Sequence, residues 1–89
     1  MSIVILNFNV KDFKTWKSFF DADPERRSNA GLKEIYVTSN ASDPNDVHLV
    51  FETNDVAKAR QMMESPDLHE YMEKAGVIGQ PSITILNKA

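Results

Sequence analysis

Residues 32–53 read LKEIYVTSNASDPNDVHLVFET. Two runs rich in β-branched and aromatic residues, 32–40 and 46–53, flank ASDPND, whose Asp-Pro-Asn is turn chemistry. The stretch therefore predicts a β-hairpin. On its N-terminal side, residues 3–10 are rich in Ile, Val and Phe and stop at Lys11-Asp12, which reads as a first strand. Asp12 is placed to cap a helix that sets Phe13, Trp16 and Phe20 on one face. Pro24 interrupts that helix with a kink or a fresh turn, Arg26 and Arg27 lie near its end, and Gly31 follows. On the C-terminal side, Asn54 or Asp55 caps a second helix with Val56, Ala59 and Met63 inward. Ser65-Pro66 restarts it, Leu68, Tyr71, Met72 and Ala75 form a new apolar stripe, and Gly76 closes it. Residues 82–87, SITILN, are the last strand.

The order is βαββαβ over residues 1–89, one α+β domain of the split-βαβ, ferredoxin-like kind. Right-handed crossovers put both helical segments on one face of an antiparallel sheet. Eighty-nine residues lie near the lower end of what buries a core unaided, and no cysteine offers a disulfide or a thiolate metal site. Small chains without such staples often gain stability by oligomerising. A net charge of −3 with mixed signs gives no footprint for nucleic acid or for an anionic membrane. MSIVILNFNV has four consecutive aliphatics and no cationic lead, which argues against a signal peptide or a membrane span. The expectation is a soluble cytoplasmic protein.

Alternation along each strand sorts the side chains into two faces. Val4, Leu6, Phe8, Ile35, Val37, Val47, Leu49, Phe51, Ile83 and Ile85 are expected under the helices. The other face then carries Ile3, Ile5, Val50 and Leu86 beside Asn7, Glu34, Tyr36, Thr38, His48 and Thr84. A solvated face seldom keeps four large aliphatics, and a plain core seldom keeps an asparagine, a tyrosine and a histidine. The mixture suits a subunit interface or a ligand pocket.

VKDFKTWKSFFD (10–21), the segment from Arg27 to Ala30-Gly31, DPNDV (43–47) and SPDLHEYMEKAGVIGQP (65–81) resemble a family of small bacterial proteins in the dimeric α+β barrel superfamily. That superfamily includes the antibiotic biosynthesis monooxygenases. The resemblance covers nearly the whole chain. It implies a homodimer whose sheets pack face to face, with a small pocket in each subunit between sheet and helices. It also implies a small aromatic or polyketide-like ligand, with cofactor-independent monooxygenase, isomerase or cyclase chemistry. The alternative is a non-catalytic dimeric domain that binds a small ligand, and fold alone does not choose.

For catalysis, His48 is the acid–base candidate because its ordinary pKa lies near neutrality. Asn7 and Tyr36 are candidate donors to a developing phenolate or enolate oxygen. Trp16 and Met72, from the helices, and Ile5 and Val50, from the sheet, are candidate ligand-binding residues, with Trp16 or Met72 closing a pocket lined by His48, Asn7 and Tyr36. Arg27 complements a helix end, with anion binding there the minor alternative. LHEYMEKAG (68–76) falls one histidine short of the HExxH zinc signature. His69 lies about 100° around the helix from Leu68, so it is expected to be exposed and paired with Glu73. Asn7 with His69 resembles the haem-binding pair of some superfamily members, but their tryptophan near the third strand has no counterpart here. No metal and no cofactor are expected.

Overall fold

The computed structural model describes residues 1–89. The element order is β1 (Ser2–Val10), α1 (Phe13–Ala22), α2 (Pro24–Asn29), β2 (Leu32–Asn40), β3 (Asp43–Thr53), α3 (Val56–Met63), α4 (Pro66–Lys74) and β4 (Val77–Asn87). The strands form one antiparallel sheet in the order β2-β3-β1-β4, which is the ferredoxin-like α+β arrangement. No helix is long and apolar enough to cross a membrane.

Local chemistry sets the helix boundaries. The Asp12 carboxylate accepts from the Thr15 amide at 3.0 Å and opens α1. Asp55 does the same for Lys58 at 3.0 Å and opens α3. Pro24 and Pro66 each begin a new helix, so both helical segments are broken in two, as their prolines require. Gly31 and Gly76 follow α2 and α4 with φ of 73° and 91°, a conformation in which a side chain would clash with its own backbone.

The core lies between one sheet face and the helices. Val4, Phe8, Val47, Leu49 and Phe51 from the strands meet Trp16, Ala59, Met63 and Ala75 from the helical side, and all are buried. Ile83 faces the same way by register, opposite Leu6, yet stays 46 % exposed because β4 is an edge strand that the helices only partly cover.

Four details differ from the expectations. The hairpin turn is shorter, since β3 begins at Asp43. Asn40 and Asp43 side chains accept from the Ser42 and Asn45 amides, which holds the tight turn at Ala41-Ser42. A bulge at Ile35 shifts the register, so Glu34 pairs with Phe51 and Tyr36 with Val50. Glu34 therefore shares the helix-covered side, 3.8 Å from Arg27, instead of standing beside Tyr36. β4 begins at Val77 rather than at residue 82, because Val77 and Ile78 already pair with Val10 and Asn9 before an irregularity at Gly79–Pro81. His69 is exposed as expected, but its Nε2 lies 2.9 Å from the Met63 carbonyl oxygen, with no ion pair to Glu73. The helix break at Ser65-Pro66 leaves that carbonyl free for the imidazole, a tertiary consequence that spacing along α4 alone does not contain.

Candidate functional site

Two groups of residues on opposite faces of the sheet are candidates. The first lines a recess of about 80 Å³ between the sheet and α1, α2, α3 and α4. Its floor is Leu6, Phe8, Leu49 and Phe51, and its walls include Trp16, Phe19, Phe20, Leu68, Tyr71 and Met72. Trp16 is placed by the 3.6-residue period of α1 and is only 4 % exposed. Its ring lies 5.5 Å from Phe8 edge-on and 5.0 Å from Phe20. Tyr71 meets Phe19 edge-on at 5.7 Å, and its hydroxyl donates to the Phe19 carbonyl oxygen at 2.6 Å, tying α4 to α1.

The polar groups of this recess, apart from the Tyr71 hydroxyl, are Asp23, Arg26 and Arg27. Arg26 donates through Nε to Asp23 at 3.0 Å, and its guanidinium lies 5.3 Å from the centre of the Tyr71 ring. Arg27 donates to the Phe20 and Asp23 carbonyl oxygens at 2.9 and 3.3 Å and stacks on Phe20 at 3.7 Å. It thereby satisfies carbonyls at the C-terminal end of α1, whereas the expectation put it at the end of the segment that Gly31 closes.

The second group lies on the uncovered face. Asn7 and His48 are paired across β1 and β3, and Thr38 pairs with His48 across β2 and β3. Asn7 Nδ2 donates to Asp46 Oδ1 at 2.8 Å and to the Val47 carbonyl at 2.9 Å, and lies 3.3 Å from His48 Nε2. His48 Nε2 is also 3.3 Å from Asp46 Oδ2. In one tautomer Nε2 accepts from Asn7, and in the other it donates to Asp46. Hydrogen bonds from Asn7 first, then from Asn40 and His48, hold the Asp46 carboxyl below its ordinary pKa of 3.8. Tyr36 is 61 % exposed on this face, beside Val50, and Ile5 pairs with Val50 across the central strands.

The expected set is thus divided. His48, Asn7, Tyr36, Ile5 and Val50 gather on the open face, whereas Trp16 and Met72 line the recess behind the sheet. One pocket containing both groups does not form within a chain, because the sheet stands between them. Strand alternation separated the faces correctly except at Glu34 and Ile35, where the bulge intervenes, but a helix residue cannot close a pocket on the face its helix does not cover. Reading the sequence overlooked Phe19, Asp23 and Arg26 as recess residues. Phe19 was detectable, being three positions after Trp16. Arg26 lies on α2, the short helix that Pro24 begins, and reaches the recess only through that change of course.

No group of three or more His, Cys, Asp or Glu side chains gathers where a metal ion would be held. His69 and Glu73 line a separate hollow with Met72, Val77, Gly79, Gln80 and Pro81.

The model of a family described as "Domain of unknown function (DUF3764)" matches residues 1–84. Among solved structures, a Bordetella bronchiseptica protein with the provisional name antibiotic biosynthesis monooxygenase is similar at TM-score 0.77 and 15% identity, covering 99% of this chain and 96% of that one. SnoaB of Streptomyces nogalater, a cofactor-independent oxygenase, is similar at TM-score 0.74 and 11% identity, covering 99% and 92%. A Nitrosomonas europaea protein with the same provisional monooxygenase name gives 0.65 and 17%, covering 99% and 98%. At such identities the likeness is one of fold, and it agrees with the resemblance visible in the sequence. No curated protein matches the chain.

Proposed function

The chain belongs to the DUF3764 family, and from that footing we propose that it binds a small aromatic molecule in the recess between sheet and helices, as one subunit of a homodimeric α+β barrel. The observation that carries this reading is the recess itself: 13 of its 16 lining residues are hydrophobic, and a few polar groups converge on them. Its volume of about 80 Å³ compares with roughly 150 Å³ for an apolar cavity that takes benzene. A single ring enters with a small outward shift of the mouth, whereas a fused polyketide system would remain largely outside. The size therefore favours a one-ring aromatic ligand over a polyketide. The dimer is supported by the half-buried Ile3, Ile5 and Val50 and the exposed Leu86 and Tyr36 on the uncovered face.

The test is saturable quenching of the Trp16 fluorescence by small aromatics, compared with a Met72→Phe variant whose rigid ring fills the recess while Trp16 stays the sole tryptophan. Binding by the wild-type protein and its loss on filling are expected. Millimolar aromatics that leave the emission unchanged would refute the reading, as would binding undiminished by a filled recess.

A catalytic form of this proposal uses the open face. There, His48 backed by Asp46 acts as the base and Asn7 and Tyr36 as donors, on a ligand held between two copies near Ile5 and Val50. The His48–Asp46 contact favours it, since a carboxylate beside an imidazole stabilises the imidazolium formed on proton uptake. Oxygenase or isomerase turnover that vanishes in a folded His48→Ala variant supports this form. Turnover indifferent to His48 would eliminate it.

A further inference from the structure

The recess is apolar apart from three charged residues in its lining. Asp23 supplies one carboxylate, and Arg26 and Arg27 supply two guanidinium groups. Each guanidinium has a carboxylate partner: Asp23 lies 3.0 Å from Arg26 Nε, and Glu34, outside the lining, lies 3.8 Å from Arg27 Nη2.

The two arginines are not equally occupied. Arg27 is spent on the end of α1, where it caps two carbonyl oxygens and stacks on Phe20. Arg26 commits only Nε, to Asp23, and its terminal nitrogens Nη1 and Nη2 make no hydrogen bond within the chain. That end of a guanidinium presents two parallel N–H groups, a spacing that matches the two oxygens of a carboxylate. Its plane is steadied from below by the Tyr71 ring. Tyr71 also lines the recess, so the free end of Arg26 and the apolar interior belong to one site.

We infer that the recess takes a single-ring aromatic carboxylate, with the ring among Trp16, Phe19 and Phe20 and the carboxylate on the terminal nitrogens of Arg26. This rests on the aromatic-binding reading above and sharpens it. A carboxylate takes up the two terminal nitrogens of Arg26, which bond nothing within the chain. A neutral head group lacks the paired anionic oxygens that match this fork.

Isothermal titration calorimetry with benzoate and with benzyl alcohol at low ionic strength tests the inference. Benzoate is expected to bind at least tenfold more tightly. In Arg26→Gln the ratio of the two affinities, measured in the same variant, should fall to about one. Arg26→Lys, which keeps the charge without the fork, should retain part of it. Equal affinities in the wild-type protein, or a preference for benzoate that survives in Arg26→Gln, would overturn the carboxylate assignment and leave aromatic binding standing. Absence of heat with both ligands would bring down the carboxylate and the aromatic reading together. Should Arg26→Gln fail to fold by circular dichroism, the wild-type comparison and Arg26→Lys still decide the matter.

Discussion

Asp46 shows most clearly how single residues set the properties of the open face. Its carboxylate accepts from Asn7, Asn40 and His48, and these bonds favour the ionised form. The folded pKa is therefore below the unfolded one. The contribution to stability is complete above the ordinary carboxylate range and is lost as pH falls through the folded value. A carbon-13 NMR titration of the Asp46 carboxyl should give a midpoint below the ordinary 3.8, and Asn7→Ala should move it upward. An unmoved midpoint would mean that the Asn7 amide is not the main cause. Asp12 is shifted the same way by the Thr15 hydroxyl and then its amide, so acid should weaken the start of α1 as well. His48 belongs to the same network. Its side chain is 43 % exposed, with Asn7 Nδ2 and Asp46 Oδ2 each 3.3 Å from its Nε2.

The elements were legible wherever a local signal sufficed. The caps at Asp12 and Asp55, the breaks at Pro24 and Pro66 and the glycine ends at Gly31 and Gly76 all lie where short-range chemistry puts them. The bulge at Ile35 was not legible, because an extra residue in one strand is fixed by its pairing with β3. The early start of β4 was hidden for the same reason, since Gly79 and Pro81 read as breakers but sit in an irregularity of a longer strand. The recess joins all four helices and the sheet, so its membership required the tertiary fold. Two substitutions probe this level. Asp55→Ala removes the cap of α3 and should cost about 1 kcal/mol by urea unfolding. Tyr71→Phe removes the 2.6 Å bond to the Phe19 carbonyl and should cost about 0.5–1.5 kcal/mol. The same change should speed ligand entry, because α4 contributes no fully buried residue between its ends and that bond is its chief tie to α1. Unchanged unfolding midpoints would show that these bonds do not hold the helices.

At the scale of the whole molecule, the fold has one face covered by helices and one left bare. The bare face combines Ile3, Ile5, Val50 and Leu86 with the polar cluster around His48, and a second copy of the chain would cover it. Sedimentation of the wild-type protein at micromolar concentration should give twice the chain mass, and Ile5→Asp with Val50→Asp should give a monomer or an unfolded chain. A wild-type monomer would remove the barrel while leaving the recess intact, because the recess is built within one chain. The sequence contained both faces but not the volume behind the sheet, which depends on how the helices lean.

The claim that a small aromatic enters behind the sheet is most directly tested by methyl NMR. Four methionines serve as reporters, and of these Met62 and Met72 line the recess whereas Met1 and Met63 do not. On titration with benzoate, the Met62 and Met72 methyl resonances should shift saturably while that of Met1 stays in place. Shifts confined to Met1 or to the Ile5 and Val50 methyls, with Met62 and Met72 unmoved, would place the ligand on the open face and contradict the account.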